Sequence, residues 1–261
     1  MVGAPAVSVP RWKAQTRLWR LVLRFGILAL ILVSWQSIGD DSAQIRMPTF
    51  TRTAATFWEL TVSGELPNAL IQSNVALVWG YFLALLVAIP LGILMGLVGT
   101  VRKVVQPYLI ILLSTPLIAI LPILQAIFGL GLAARVVVVF IFAFVYVTMN
   151  TVVGVRSVPE DLTEMARSFG ASRGQLVRKV VLPHAFPAIM AGARLGIGRG
   201  VVGMVIAELF LVSSGLGSLL AFYMARFDAG AVLAIALTMV LEGVIVIALA
   251  RRLEAGVLRR W

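Results

Sequence analysis

The segment EMARSFG, residues 164–170, followed by VVLP, residues 180–183, interrupts an otherwise apolar sequence. It belongs to the longest charged and polar segment in the second half of the chain. The residues around it have the pattern of two short helices joined at a glycine. A chain that keeps such a compact folded loop between two apolar runs is expected to present the loop to a partner.

The composition around this segment is that of a membrane protein. Of the 261 residues, 61% are hydrophobic and 13% are charged, with a mean hydropathy of +1.02. A soluble domain carries about 25% charged residues, and its core helices rarely sustain the roughly 20 apolar residues that cross a bilayer. The sequence therefore predicts an all-α, polytopic membrane protein. The absence of cysteine excludes disulfides, thiolate metal ligands and thiol nucleophiles.

The apolar runs and the basic residues between them predict six transmembrane helices with both termini in the cytoplasm. All but four of the 22 lysines and arginines fall on one side, as the positive-inside rule requires of the cytoplasmic side. The net charge of +11 therefore reflects orientation in the membrane and not binding to nucleic acid. The four exceptions are Arg46, Arg52, Arg135 and Arg226. The predicted spans are 21–38, 69–98, 105–129, 134–155, 187–212 and 231–250.

An amphipathic piece, Phe50–Leu60, follows the first span and is expected to lie in the membrane interface with Phe57 and Trp58 as anchors. We prefer a retained first span to a cleaved signal peptide, because its apolar run is long and no clear A-x-A site follows it. The predicted regions are a cytoplasmic tail at 1–20, the first helix and an external segment at 21–64, a five-helix core at 65–251, and a basic cytoplasmic tail at 252–261.

Prolines single out the third span. Pro107, Pro116 and Pro122 fall in it, and prolines are tolerated inside a span where neighbouring helices or a cavity satisfy the freed carbonyl groups. This span is therefore a candidate wall of a translocation pathway. A merely kinked structural helix is the alternative.

Two glycine patterns predict close contacts between helices. Gly192, Gly196 and Gly200 form a small-xxx-small stripe in the fifth span, and Gly92 with Gly96 forms a shorter one in the second. Small residues at this spacing let helix backbones approach each other closely.

The polar loop carries start and stop signals for two helices. Gly170 can take the left-handed conformation that ends the first helix, and Pro183 is predicted to end the second. The first helix has one apolar stripe, which either packs under the bundle of its own chain or docks on a partner. The predicted capping boxes are Ser157 with Glu160 and Ser172 with Gln175. The stripe consists of Leu162, Met165, Ala166 and Phe169.

These residues resemble the signature loop of bacterial ABC importer permeases, the EAA motif, written E-A-A-x3-G-x9-I-x-L-P. Met165 stands where the family has alanine and Val180 where it has isoleucine, and both changes keep an apolar residue. The positions that match are Glu164, Ala166, Gly170, Leu182 and Pro183.

The rest of the chain, from about 65 to 261, is similar to one subgroup, the nitrate/sulfonate/taurine-type permeases. Residues 116–131 are similar to the third-span pattern of that subgroup. Ala207-Glu208, together with SSGLG at 213–217, is similar to the end of its fifth span, and the basic tail 259–261 is also typical.

The resemblance implies a type I importer permease (MetI-like) fold, with a cytoplasmic coupling helix in loop 157–183. It implies a permease subunit in the bacterial plasma (inner) membrane that forms the pathway for a small solute, an organic or inorganic anion such as a sulfonate, nitrate or bicarbonate. Two separate ATP-binding subunits would bind ATP and magnesium, and an extracytoplasmic solute-binding protein would deliver the solute. A second permease, identical or paralogous, would complete the pathway. The chain itself would bind no cofactor and would not be an enzyme.

Two sets of candidate site residues follow. The resemblance assigns contact with the ATP-binding subunit to Glu164, Met165, Ala166, Phe169, Gly170, Leu182 and Pro183. The candidate pathway residues are Thr115, Gln125, Thr148, Asn150 and Glu208.

Glu208 and Glu242 are the carboxylates inside predicted spans, where an unpaired charge is costly. Contact with substrate, a polar gate, a proton site and a structural tie between helices all remain open for them. They also leave two other functions open, a proton-coupled secondary transporter and an intramembrane enzyme that uses Glu208 with His184. Neither alternative accounts for the loop, and His184 without further ligands is no metal site.

Overall fold

The structure, a computed structural model, describes residues 12–40, 47–211 and 214–258. Within these ranges every regular element is a helix. A 3₁₀ segment at Leu117–Ile120 precedes α5, and a π-helical segment at Val177–Val181 joins α8 to α9. The α-helices are α1 Trp12–Ile38, α2 Phe50–Val62, α3 Glu65–Leu97, α4 Gly99–Ser114, α5 Leu121–Phe128, α6 Leu132–Arg156, α7 Glu160–Ser168, α8 Arg173–Leu176, α9 Leu182–Leu211, α10 Leu216–Ala225 and α11 Ala229–Leu258.

Four helical runs in the described ranges are long and apolar enough to cross a membrane: α3, α6, the run from Arg173 that contains α9, and α11. The bent pair α4 and α5 makes a fifth if it is one span. Within α1, the apolar stretch found among the described residues is Phe25–Ile38, which is shorter than these runs. The predicted polytopic, all-helical architecture is confirmed, whereas the count of six spans stays a prediction.

Both ends of the described chain are more helical than expected. Helix α1 begins at Trp12, so residues 12–20 of the predicted cytoplasmic tail belong to it. Helix α11 continues to Leu258, through most of the predicted basic tail, while 259–261 lie outside the described residues. Neither segment contains a proline, and arginine, leucine and alanine all favour the helix. The basic residues therefore predict the side of the membrane on which these segments lie. They do not indicate where the helices end.

The third predicted span is broken at Pro116. A residue before proline is pushed out of the α region, and Thr115 is accordingly extended and ends α4. The chain then turns through the 3₁₀ segment into α5, and the two helices are bent by 97°. Pro107 lies inside α4, which begins at Gly99, earlier than predicted.

The core consists of α6 held between α3 and α9, and glycines permit the contacts. A Cβ built on Gly92 of α3 would lie 2.6 Å from Cβ of Thr151 in α6. On the other face, a Cβ built on Gly196 of α9 would lie 2.5 Å from Cγ2 of Val147. Larger side chains would force these helices apart. Both predicted glycine patterns are therefore confirmed as helix contacts.

Helix α2 is confirmed over 50–62 and packs on the bundle through a few buried residues. Its first turn is capped by Thr49, whose Oγ1 accepts a hydrogen bond from the backbone N–H of Arg52. Leu60 is buried in a cluster with α3, α10 and α11, whereas Trp58 is 67% exposed. The exposed indole leaves the interfacial role of Trp58 as a prediction.

Candidate functional site

Helix α7 begins at Glu160 without the predicted side-chain cap. Pro159 is the N-cap residue and has no side-chain hydrogen bond to the helix. The hydroxyl of Ser157 donates instead to the carbonyl of Gly154, because Ser157 closes the last turn of α6. The predicted capping box of Ser157 with Glu160 is therefore wrong. Glu160 and Asp161 still lie in the first turn, where carboxylates interact favourably with the helix dipole.

Gly170 ends α7 in the left-handed conformation, as predicted. Its φ is +78°, and a Cβ placed there would meet no atom within 4 Å, so the need for glycine comes from the backbone and not from crowding. The N–H of Ala171 donates to the carbonyl of Ala166, and the N–H of Gly170 donates to that of Arg167. This pair of bonds is a Schellman motif, which satisfies the last carbonyls of the helix.

The apolar stripe of α7 forms an exposed ridge, which we call the coupling ridge and define as Leu162, Met165 and Phe169. Phe169 is 85% exposed and Met165 is 53% exposed. The fourth predicted member, Ala166, is half-buried and packs against the cluster at the base of the loop. Helix α7 thus contacts this cluster through one small residue, while its large apolar side chains are exposed. Glu164 is also exposed.

The second half of the loop begins as predicted and continues differently. Ser172 caps α8 in a complete capping box with Gln175, because Ser172 Oγ accepts from the Gln175 N–H and Gln175 Oε1 accepts from the Ser172 N–H. The helix does not end at Pro183. The π segment passes directly into α9, which begins at Leu182 and includes Pro183.

The base of the loop is tied to the membrane bundle by one apolar cluster. Leu176 of α8, Val181 of the π segment, and Ala185 and Ile189 of α9 are buried together with Val155 of α6. The base of the loop is therefore packed directly against α6 and α9.

A second, polar site joins three helices at the opposite end of the bundle. Glu208 of α9 is fully buried, and its Oε1 lies 3.6 Å from Nη1 of Arg135 in α6. Arg135 is only 4% exposed, and its Nη1 also donates to the carbonyls of Gln72 at 3.4 Å and Ser214 at 3.3 Å. The sequence analysis placed Arg135 on the side opposite the loop, inside the predicted span 134–155, and gave it no partner. Arg135 lies in the first turn of α6, at the end of the helix away from the loop, and points into the bundle.

The same polar site holds the chain that follows α9. Glu208 Oε2 accepts from the Gly217 N–H at 3.2 Å, and Ser73 Oγ accepts from the Leu216 N–H at 3.1 Å. Gly215 has a φ of +85°, and a Cβ there would lie 2.5 Å from Glu208 Oε1, so glycine is needed at this turn. We call Ser73, Arg135 and Glu208 the polar clasp. Among the interpretations open for Glu208, this geometry is that of a tie between helices.

The remaining candidate pathway residues do not come together as a site. The hydroxyls of Thr115 and Thr148 donate to carbonyls of their own helices, at Ile111 and Phe144. Asn150 Nδ2 donates in the same way to Tyr146. Thr148 is also fully buried between helices, whereas Gln125 is exposed on α5. Their assignment to a pathway stays a prediction.

Four other charged residues have partners that the sequence analysis did not identify. Glu242 Oε1 accepts from Asn74 Nδ2 at 2.6 Å, which ties α11 to α3. Arg194 Nη1 lies 2.8 Å from Glu254 Oε2, and the guanidinium of Arg199 lies 4.6 Å from the centre of the Tyr146 ring. Packing between helices thus accounts for both arginines.

Known proteins share this arrangement of helices and the loop. The family described as binding-protein-dependent transport system inner membrane component matches residues 88–259, which include α6, the whole loop and most of the polar clasp. The chain belongs to this family. It is therefore a permease subunit of an ABC importer and not an enzyme, and ATP is hydrolysed by a separate subunit.

The relatives of this permease extend the match to most of its length. The taurine transport system permease protein of Escherichia coli is 34% identical over 79% of this chain and 77% of its own. The riboflavin transport system permease protein of Chloroflexus aurantiacus is 32% identical over 90% and 88%. A solved chain of the inward-facing MetNI methionine ABC transporter aligns with a TM-score of 0.61 and 22% identity, covering 77% of this chain and 97% of that one. The MetI-like fold is thereby confirmed.

Proposed function

We propose that this permease carries a small organic anion with a sulfonate group, of the size of taurine, into the cell. The identity with the taurine permease of Escherichia coli supports this cargo. The similar identity with a riboflavin permease makes a flavin the competing cargo. The chain would be half of the pathway, with a second copy or a paralogue as the other half and an external binding protein that delivers the solute.

The contact with the ATP-binding subunits is the part of the proposal that the geometry supports best. The coupling ridge is large, apolar and exposed, and α7 is otherwise polar and charged. Exposed aromatic side chains of this kind are typical anchors of protein interfaces. Each of the two ATP-binding subunits would bind ATP with magnesium and would receive α7 of one permease. Its movement would reach the membrane helices through Ala166 and the apolar cluster below it. In this proposal the loop and both termini lie in the cytoplasm.

Uptake into proteoliposomes tests this function. The permease is reconstituted with its ATP-binding subunit, and the binding protein is supplied outside with radiolabelled taurine or riboflavin. We expect taurine uptake that requires internal ATP and magnesium. Uptake of riboflavin without uptake of taurine would show that the cargo is a flavin and not a sulfonate. Uptake that follows a proton gradient and ignores ATP would overturn the importer itself.

A further inference from the structure

The buried face of the helical run from α8 to α9 contains one step of unusual length. From Val181 onward, buried residues of the cluster recur every four positions, at Ala185 and Ile189. The preceding buried residue is Leu176, five positions before Val181, and Arg178 and Lys179 between them are exposed. An α-helix turns about 100° per residue. In an uninterrupted α-helix, Leu176 would therefore point about 140° away from Val181.

The π segment removes this mismatch. It covers Val177–Val181, and the N–H of Leu182 donates to the carbonyl of Val177, five residues earlier. A π turn holds one more residue than an α turn, so two side chains five positions apart lie on the same face. Leu176 and Val181 can therefore share the cluster with Val155.

The position of Pro183 favours the wide turn over an α turn. Proline has no N–H, and in an α-helix its ring clashes with the carbonyl four residues earlier, which here belongs to Lys179. The π segment ends two residues before Pro183 and includes Lys179. Widening the turn at that place relieves the clash. Pro187, one turn further on, lies within the regular part of α9 and outside the π segment.

We propose that Pro183 is a positioning residue that, through the π turn, sets the rotational position of α7 and α8 relative to α9. The extra residue in the turn determines which way the coupling ridge faces when Leu176 and Val181 pack below it. Loss of the turn rotates the loop by about 100° relative to the membrane bundle. The consequence for transport rests on the proposed docking of the ridge on the ATP-binding subunit, whereas the geometry of the turn does not.

Thiol labelling tests the turn directly, because the chain contains no cysteine. Leu176→Cys and Arg178→Cys are made separately in the full-length permease within its complex, and each thiol is reacted with a water-soluble maleimide. The π turn predicts that the thiol at position 178 reacts faster than the thiol at 176. A continuous α-helix predicts the reverse order, because position 178 then lies about 60° from Val181 around the helix and position 176 about 140°. The reverse order in the otherwise unchanged chain would overturn the proposal.

The role of Pro183 is tested by Pro183→Ala, with Pro187→Ala as the matched control. We expect Pro183→Ala to invert the order of labelling and to raise several-fold the ATP hydrolysed per solute transported. Pro187→Ala should leave both unchanged. An unchanged order of labelling in Pro183→Ala, or an inverted order with normal coupling, would refute the positioning role. If Pro183→Ala does not assemble, the labelling order of the proline-containing chain still decides the turn.

The two proposals can fail separately. If the thiol at position 178 reacts faster than the thiol at 176, but the ATP-binding subunit does not contact the ridge, only the docking is refuted. If the thiol at 176 reacts faster, but the subunit does dock on the ridge, only the π turn is refuted.

Discussion

Replacement of Phe169 by alanine is the sharpest perturbation that the coupling ridge offers. The side chain is 85% exposed at the end of α7, where Gly170 turns the chain, so its removal takes little from the fold of the permease. Exposed substitutions away from special features usually change stability by no more than about 0.5 kcal/mol. The effect of Phe169→Ala should therefore fall on the contact with the ATP-binding subunit.

The expected magnitude follows from the exposed area. A phenylalanine buries about 150–250 Å² when fully covered, so docking removes roughly 170 Å² of Phe169 from water. At about 25 cal/mol per Å² this gives an upper limit of about 4 kcal/mol, and anchor residues of interfaces commonly contribute about 2 kcal/mol or more. We expect Phe169→Ala to weaken docking by about 2–4 kcal/mol, which is roughly 30-fold or more in Kd.

The assay is the affinity of the detergent-solubilised permease for its ATP-binding subunit, measured by titration. Phe169→Leu is the matched control, because leucine keeps most of the apolar area, and it should bind much more tightly than Phe169→Ala. Phe227→Asp is a second control, since this exposed phenylalanine follows α10, far along the chain from the loop. An unchanged Kd in Phe169→Ala, with the permease folded, would refute the docking argument.

Three further predictions concern the turn, the polar clasp and the core. Gly170→Val should abolish uptake and uncouple or detach the ATP-binding subunit, because a β-branched residue is strained at φ +78°. Gly170→Asn should retain more uptake, because asparagine tolerates this conformation better. Wild-type uptake and assembly in Gly170→Val would exclude the coupling role. Glu208→Leu should destabilise the permease by about 3–5 kcal/mol because it leaves Arg135 buried without its carboxylate, and Arg135→Met with Glu208→Leu should be milder. A double-mutant cycle of unfolding in detergent checks this, and additive effects would contradict it. Gly196→Leu should lower the free energy of unfolding by about 1–3 kcal/mol, because its side chain would collide with Val147. Gly256→Ala is the control and should be neutral or stabilising, because the space around Gly256 is open. Equal melting temperatures of the two variants would count against the close packing at Gly196.

Local signals in the sequence predicted the parts of the coupling loop that depend on local geometry. Gly170, the capping box of Ser172 with Gln175, and the apolar stripe need only neighbouring residues to be recognised, and the structure places all three as expected. The cap at Ser157 failed because the last turn of α6 takes the same hydroxyl. Pro183 failed as a stop signal because a widened turn accommodates it, and a widened turn depends on packing against α6.

The polar clasp lay beyond local signals. Its members come from α3, α6 and α9, which meet only in the folded bundle. One signal was nevertheless present, since Arg135 falls inside the predicted span 134–155. A charge in that position needs a partner. The carboxylates inside predicted spans, Glu208 and Glu242, were the available candidates. Charge counting gave Arg135 only a side of the membrane and no partner, and so missed the pair.

The most direct test of the coupling account is a photo-crosslinking amino acid placed at position 169 in the assembled transporter. The account predicts a crosslink to the ATP-binding subunit. The same probe at Trp58, an aromatic position on α2 that is 67% exposed, should give none. A crosslink from position 169 only to other parts of the permease, with the complex intact, would contradict the claim that α7 docks on that subunit.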